Sequence, residues 1–114
     1  MVEIADRLDI QQLISRYAYH IDLKEVDAWV DLFEEDAVLD ESALGMAIVA
    51  GRSGIRAYAN HLAEDNIHAV HFMTNHIVSD VVDDRASGTV FGFVEAMTRS
   101  SGHGRYYILY RDSY

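Results

Sequence analysis

The chain has 114 residues, half apolar and a quarter charged, which suits one folded domain spanning 1–114 and excludes intrinsic disorder. Nineteen acidic against nine basic residues leave a formal charge of −10 with no Lys/Arg cluster, so no nucleic-acid partner is expected. There is no cysteine for disulfides or thiol catalysis, no apolar run long enough to span a membrane, and no secretory leader in "MVEIADRLDI"; the expectation is a cytoplasmic protein without membrane contact.

From Glu3 to about Ile21, apolar residues at Ile4, Leu8, Ile14, Tyr17, Ala18 and Ile21 recur at helical steps and predict an amphipathic helix with one buried stripe. A shorter helical pattern follows in "EVDAWVDLFEED", with Val26, Trp29, Val30 and Phe33 on one side. "AVLDESALGMAIVAG" reads as two short strands around a turn. "RSGIRAYANHLAED" predicts a third helix, with Ser53 as its N-cap and Ile55, Tyr58, Ala59 and Leu62 as its stripe.

Beyond that point the period changes to two. His71–Asp80, Ala86–Arg99 and Arg105–Tyr114 are strand candidates joined by short turns, "VDDRAS" and "SSGHG", and short connections imply antiparallel pairing. Helices followed by a meander predict an α+β fold: a curved antiparallel sheet with helices packed on one face. Such a layout encloses a cavity, and small-molecule sites favour apolar hollows with a few convergent polar groups. In "AVHFMTNHIVSD" strict alternation puts His71 on one face with Met73, Asn75 and Ile77, and His76 on the other with Phe72, Thr74 and Val78.

The pieces "ISRYAYHID", "WVDLFEEDAVL", "GRSGIRAY", "HFMTN" and "VDDRASG", in this order and spacing, resemble the SnoaL-like group of the nuclear-transport-factor-2-like superfamily over nearly the whole chain. The resemblance implies a cone with a long helix lying over the sheet. Several enzymes of that group, notably scytalone dehydratase, bile-acid dehydratase and hexachlorocyclohexane dehydrochlorinase, remove a proton and expel a leaving group without metal or organic cofactor. They use a strand histidine and an aspartate at the end of the first helix. By motif these are His71, which opens "HxxTN", and Asp22, five residues beyond Tyr17. The chain departs from the pattern twice. It stops at "YRDSY", where the resemblance implies a further strand, and Ala96 and Met97 stand where scytalone dehydratase has a second pocket histidine.

A carboxylate that accepts from one imidazole nitrogen leaves the other free as a general base. The expected catalytic group is therefore His71 with Asp22 as its orienting partner and Tyr17 as a hydrogen-bond donor to substrate oxygen. Asn75, Trp29, Tyr58, Met73, Phe91 and Phe93 are expected to line the site, with Ile21 and Phe72 beside them; Arg16 reads as a solvated charge. His61, Asp65, His68 and His71 form a competing metal constellation, but their spacing matches no ligand motif, and neither a metal nor another cofactor is expected. His20, His76 and His103 read as histidines without partners.

The function expected is that of a lyase or isomerase acting on a largely apolar small molecule. The alternative is a non-catalytic ligand-binding or dimerisation module on the same fold. Tyr106, Tyr107, Ile108 and Tyr110 on the last strand suggest self-association, as a homodimer or homotrimer.

Overall fold

A computed structural model describes residues 3–114. Helix α1 (Ile4–Asp22) is followed by α2 (Val26–Val30), a hairpin of β1 (Val38–Asp40) and β2 (Ile48–Ala50), and α3 (Gly51–Asp65). A meander of β3 (Asn66–Val82), β4 (Arg85–Thr98) and β5 (Gly102–Ser113) then forms an antiparallel sheet in the order β3-β4-β5. The architecture is an α+β cone with an open, curved sheet.

The second half of α1 does the packing. Ile14, Ala18 and Ile21 are buried, whereas Ile4 and Leu8 are 79% and 55% exposed, so the apolar stripe expected along the whole helix is covered only from Ile14 onward. Directly after Asp22 the helix closes in a Schellman motif. Glu25 N–H donates to the His20 carbonyl at 2.8 Å, Lys24 N–H donates to Ile21 at 3.2 Å, and Lys24 itself is left-handed at φ 61°. The Lys24 ammonium then donates to the Asn66 carbonyl at 2.6 Å, tying the helix end to the start of β3.

The core gathers Ile21 of α1, Trp29 and Val30 of α2, and Ile55 and Ala59 of α3. Full burial of a large aliphatic or aromatic side chain is worth about 1.5–3 kcal/mol, and these contacts fix α1 and α3 against α2. Helix α3 begins at Gly51, two residues before the expected cap Ser53. Its N-cap is Ala50, which offers no side-chain oxygen. Its first amides are satisfied by another loop: Gly51 N–H donates to Ala37 at 2.7 Å and Arg52 N–H to Glu35 at 3.2 Å.

Strand β3 carries three extra residues relative to β4, each a bulge. The middle one lies between the pairs Thr74↔Phe91 and Ile77↔Thr89, where Asn75 adopts φ 55°. Asparagine tolerates this left-handed state better than most residues. The extra residue reverses the alternation: His76 and Val78 join His71 and Met73 on the concave face, and Ile77 turns outward, 63% exposed. This overturns the expectation that His76 opposes His71. Bulges also bend a strand and strengthen its twist, which suits a curved sheet.

On β4 the concave face is made by Gly88, Val90, Gly92, Val94 and Ala96, all buried. Phe91 and Phe93, expected to line the site, belong to the convex face, where Phe91 is 50% exposed; Phe72, opposite Phe93, is there too at 60%. The small residues within have a physical reason. A Cβ at Gly92 would lie 2.6 Å from the Tyr110 ring, and one at Gly88 would lie 2.7 Å from the Ile77 carbonyl and 3.1 Å from the Tyr114 ring. Rings from β5 occupy the space that larger β4 side chains would need.

Candidate active site

Asp22 stands on the last turn of α1, where a carboxylate meets the negative end of the helix dipole, an arrangement that costs a few tenths to about 1 kcal/mol. Two donors from one residue offset this. His71 gives its backbone N–H to Asp22 Oδ2 at 2.7 Å, and its ring Nδ1 lies 2.5 Å from Oδ1. Both side chains are about one-sixth exposed, enclosed yet reachable. With Nδ1 committed as donor to the carboxylate, Nε2 keeps its lone pair.

Tyr17, one turn and a half before Asp22 on the same helix, stands edge-on to the imidazole with ring centroids 6.3 Å apart. It also packs against Trp29 at 5.5 Å and Tyr110 at 5.9 Å. Burial first, then the neighbouring Tyr110 and Glu41, hold the Tyr17 phenol well above its ordinary pKa. Tyr17 is therefore a fixed O–H donor at neutral pH.

Around this centre lie the expected Tyr58 and, with it, Glu41, Tyr110, Asp112 and Tyr114, which sequence reasoning did not assign to the site. Tyr58 of α3 donates its hydroxyl to Glu41 Oε2 at 2.5 Å, and burial, reinforced by that bond, pushes the phenol far up. Burial likewise raises Tyr110 to about 12, with Glu41 adding to the shift and a hydrogen bond from Tyr17 opposing it. Farther along the concave face, the Tyr114 hydroxyl donates to Asp112 Oδ2 at 3.1 Å and lies 3.1 Å from His76 Nε2. Burial raises the Asp112 carboxyl, while the Tyr114 bond and His76 pull it down. A period-two reading of β5 would have put Tyr110, Asp112 and Tyr114 on one face; the bulge that adds His76 had no comparable signal.

The remaining expected residues divide. Trp29 is 1% exposed in the core beside Tyr17, and its Nε1 is a buried donor without a hydrogen-bond partner. Met73 lies on the His71 face, its sulfur 3.4 Å from where a Cβ at Gly92 would stand. Asn75 is exposed at the bulge, taken up in a local contact with Thr74, and does not share the His71 face as expected. The supposedly solitary histidines all have partners: His20 pairs with Glu25, His76 with Tyr114, and His103 with Glu95. Of the metal constellation, Asp65 binds Ser100 and His71 binds Asp22, while His61 and His68 are exposed. Among the described residues no three His, Asp or Glu side chains gather closely enough to hold a metal ion. Nor is any helix among them long and apolar enough to cross a membrane.

The sequence profile of the SnoaL-like domain matches residues 2–114. Among curated protein sequences none matches the chain. Solved structures do. One is a Novosphingobium aromaticivorans protein provisionally named an aromatic ring hydroxylase, 32% identical, with TM-score 0.84 over 96% of this chain and 80% of that one. Another, provisionally named a scytalone dehydratase and from the same organism, is 17% identical with TM-score 0.85, covering 96% and 73%. A type-3 hexachlorocyclohexane dehydrochlorinase from Novosphingobium barchaimii LL02 is 18% identical with TM-score 0.85, covering 97% and 76%. The last two are alike in fold.

Proposed function

The chain belongs to the SnoaL-like family, and from that premise we propose that it is a cofactor-free lyase or isomerase of small, largely apolar molecules, with His71 as general base. The observation that carries this reading is the double hold of Asp22 on His71, which leaves Nε2 bare and partly accessible. Names attached to similar folds, a dehydratase and a dehydrochlorinase, point to the same class of proton abstraction.

In the leading version Nε2 takes a proton from a carbon beside a carbonyl. The C–H electron pair becomes the new C=C bond as hydroxide leaves the adjoining carbon. The proton held on His71 passes to that hydroxide, water departs, and the base is restored. Tyr17 turns its one hydroxyl hydrogen from Tyr110 to the carbonyl oxygen as enolate charge develops there, and its raised pKa keeps that proton in place. Positioned general-base catalysis of this kind supplies about 10²–10⁴ in rate.

The test is deuterium exchange at the carbon beside the carbonyl of 2-tetralone in D₂O, followed by NMR. The native chain should accelerate exchange and His71→Ala should lose the acceleration; equal exchange by the two proteins removes His71 from the role of base.

Self-association belongs to the same proposal. On the convex face Phe72, Phe93 and Tyr107 stand side by side across all three strands, with centroids 6.3 and 5.1 Å apart, and Tyr107 is 80% exposed. An aromatic ridge of this kind suits a contact between copies.

A further inference from the structure

The mechanism leaves the second histidine of the concave face unused. His76, Tyr114 and Asp112 form a chain of contacts there. Three features seat it: the Asn75 bulge turns His76 inward, the Tyr114 ring lies over Gly88, and Asp112 pairs across the sheet with Gly88. His76 and Tyr114 meet edge-on with centroids 6.0 Å apart.

The protons of this cluster can be assigned. Tyr114 has one hydroxyl hydrogen, and it goes to Asp112 Oδ2. The contact between the Tyr114 oxygen and His76 Nε2 must then use a hydrogen on the imidazole. A neutral imidazole protonated at Nε2 presents Nδ1 as an acceptor. Neither His76 Nδ1 nor Asp112 Oδ1 has a partner among the described residues. The open valences of the cluster are therefore acceptors, and they ask for a hydrogen-bond donor.

The path from this cluster to His71 runs over aromatic rings. His71 contacts Tyr17, Tyr17 contacts Tyr110, and Tyr110 is two residues from Asp112 on the same face of β5. Along β4 the His71 partner Val94 and the Asp112 partner Gly88 are six residues apart, a backbone span of roughly 20 Å at about 3.3 Å per residue. Side chains projecting from a concave face converge across part of that distance.

We propose that His76, Tyr114 and Asp112 form a second polar subsite that accepts a hydrogen bond from a neutral hydroxyl at the far end of the substrate whose acidic C–H faces His71. This rests on the proposed role of His71 and narrows the substrate class to rigid, largely apolar molecules with a carbonyl at one end and a hydroxyl at the other. An anionic end group is disfavoured because Asp112 and Glu41 both flank the Tyr17–Tyr110 phenols. A methyl ether cannot satisfy the subsite, since it donates nothing.

The experiment compares binding of estrone, which has a ketone at one end and a phenol at the other, with its 3-methyl ether. Calorimetry or Trp29 fluorescence gives the affinities for the native chain, Asp112→Ala, His76→Ala and His71→Ala. Hydrogen bonds to charged acceptors give an expected preference for estrone of about tenfold or more in the native chain. That preference should vanish in Asp112→Ala, shrink in His76→Ala and survive in His71→Ala. Equal affinity for the two ligands, no measurable binding of either, or a preference kept by Asp112→Ala overturns the subsite. Each comparison is made within one protein, so a general loss of stability in a variant does not imitate the result. Deuterium exchange beside the estrone ketone reports on His71 separately. A preference without exchange sinks the base and keeps the subsite; exchange without a preference does the reverse.

Discussion

Asp22 holds His71 at two points, the backbone amide and the ring nitrogen, with one carboxylate oxygen on each. The amide contact fixes the carboxylate relative to β3 whatever the ring does, so the two bonds can be separated by mutation. In Asp22→Asn the amide oxygen can still accept one of the donors, but the charge that favours Nδ1–H is gone. The expected outcome is a fold close to native, a shift of the His71 tautomer toward Nε2–H in ¹⁵N spectra, and a loss of about 10²-fold or more in tetralone exchange. Asp22→Ala removes both acceptors and should also cost about 1–3 kcal/mol in urea denaturation.

Alkaline pH should unfold the protein through its phenols. Tyr17, Tyr58, Tyr110 and Tyr114 all have pKa values raised in the folded state, with burial as the largest cause for each. The sign follows from proton counting. Above pH of about 10 the unfolded chain loses phenolic protons that the native chain keeps, so the native state binds more protons and stability falls as pH rises. The stabilising contribution is complete below pH 10 and, for Tyr110, is lost by about pH 12. Chemical denaturation at several pH values should show this slope, and Tyr110→Phe should flatten it between pH 10 and 12.

Gly92 is expected to tolerate no side chain. Alanine there drives a methyl into the Tyr110 ring at 2.6 Å, and the ring is confined by Tyr17. The cost should be about 1–3 kcal/mol in a urea midpoint series. The double variant Gly92→Ala/Tyr110→Ala should recover part of it, because the clash has then lost its partner.

Trp29 gives a contrasting case. Its indole N–H is buried without an acceptor. Phenylalanine removes the unsatisfied donor and keeps an aromatic ring against Tyr17 and Phe33, so Trp29→Phe should change stability by less than about 1.5 kcal/mol. Trp29→Ala, which empties the site, should cost about 3–5 kcal/mol.

On the convex face, Tyr107→Glu should leave the fold and His71 chemistry intact and reduce association between copies in sedimentation velocity. Tyr107 is 80% exposed and packs beside Phe93 at the edge of the ridge.

Period and turn chemistry read out the helices, the hairpin and the meander because each depends on side chains within a few residues of one another. What escaped them has a physical pattern. Apolar alternation on β4 points to Phe91 and Phe93 as the inward set, yet the inward set is Gly88, Val90, Gly92, Val94 and Ala96. Residue size here follows the space left by rings from β5, which local pattern does not contain. The Asn75 bulge is a single-residue backbone event in a strand that still looks regular as a string of letters. Glu41 and Asp112, two carboxylates among 19 acidic residues, gain their character from the tyrosines the fold brings to them.

The irregularity at Asn75 also decides which way the ribbon faces beyond it. Were the chain to run through that residue in plain alternation, the four after it, His76 to Ser79, would exchange sides as a block, presenting Ile77 to the hollow and exiling an imidazole to solvent. One odd amino acid thus lets a single ribbon turn two nitrogen heterocycles, five positions apart, to the same side of the sheet.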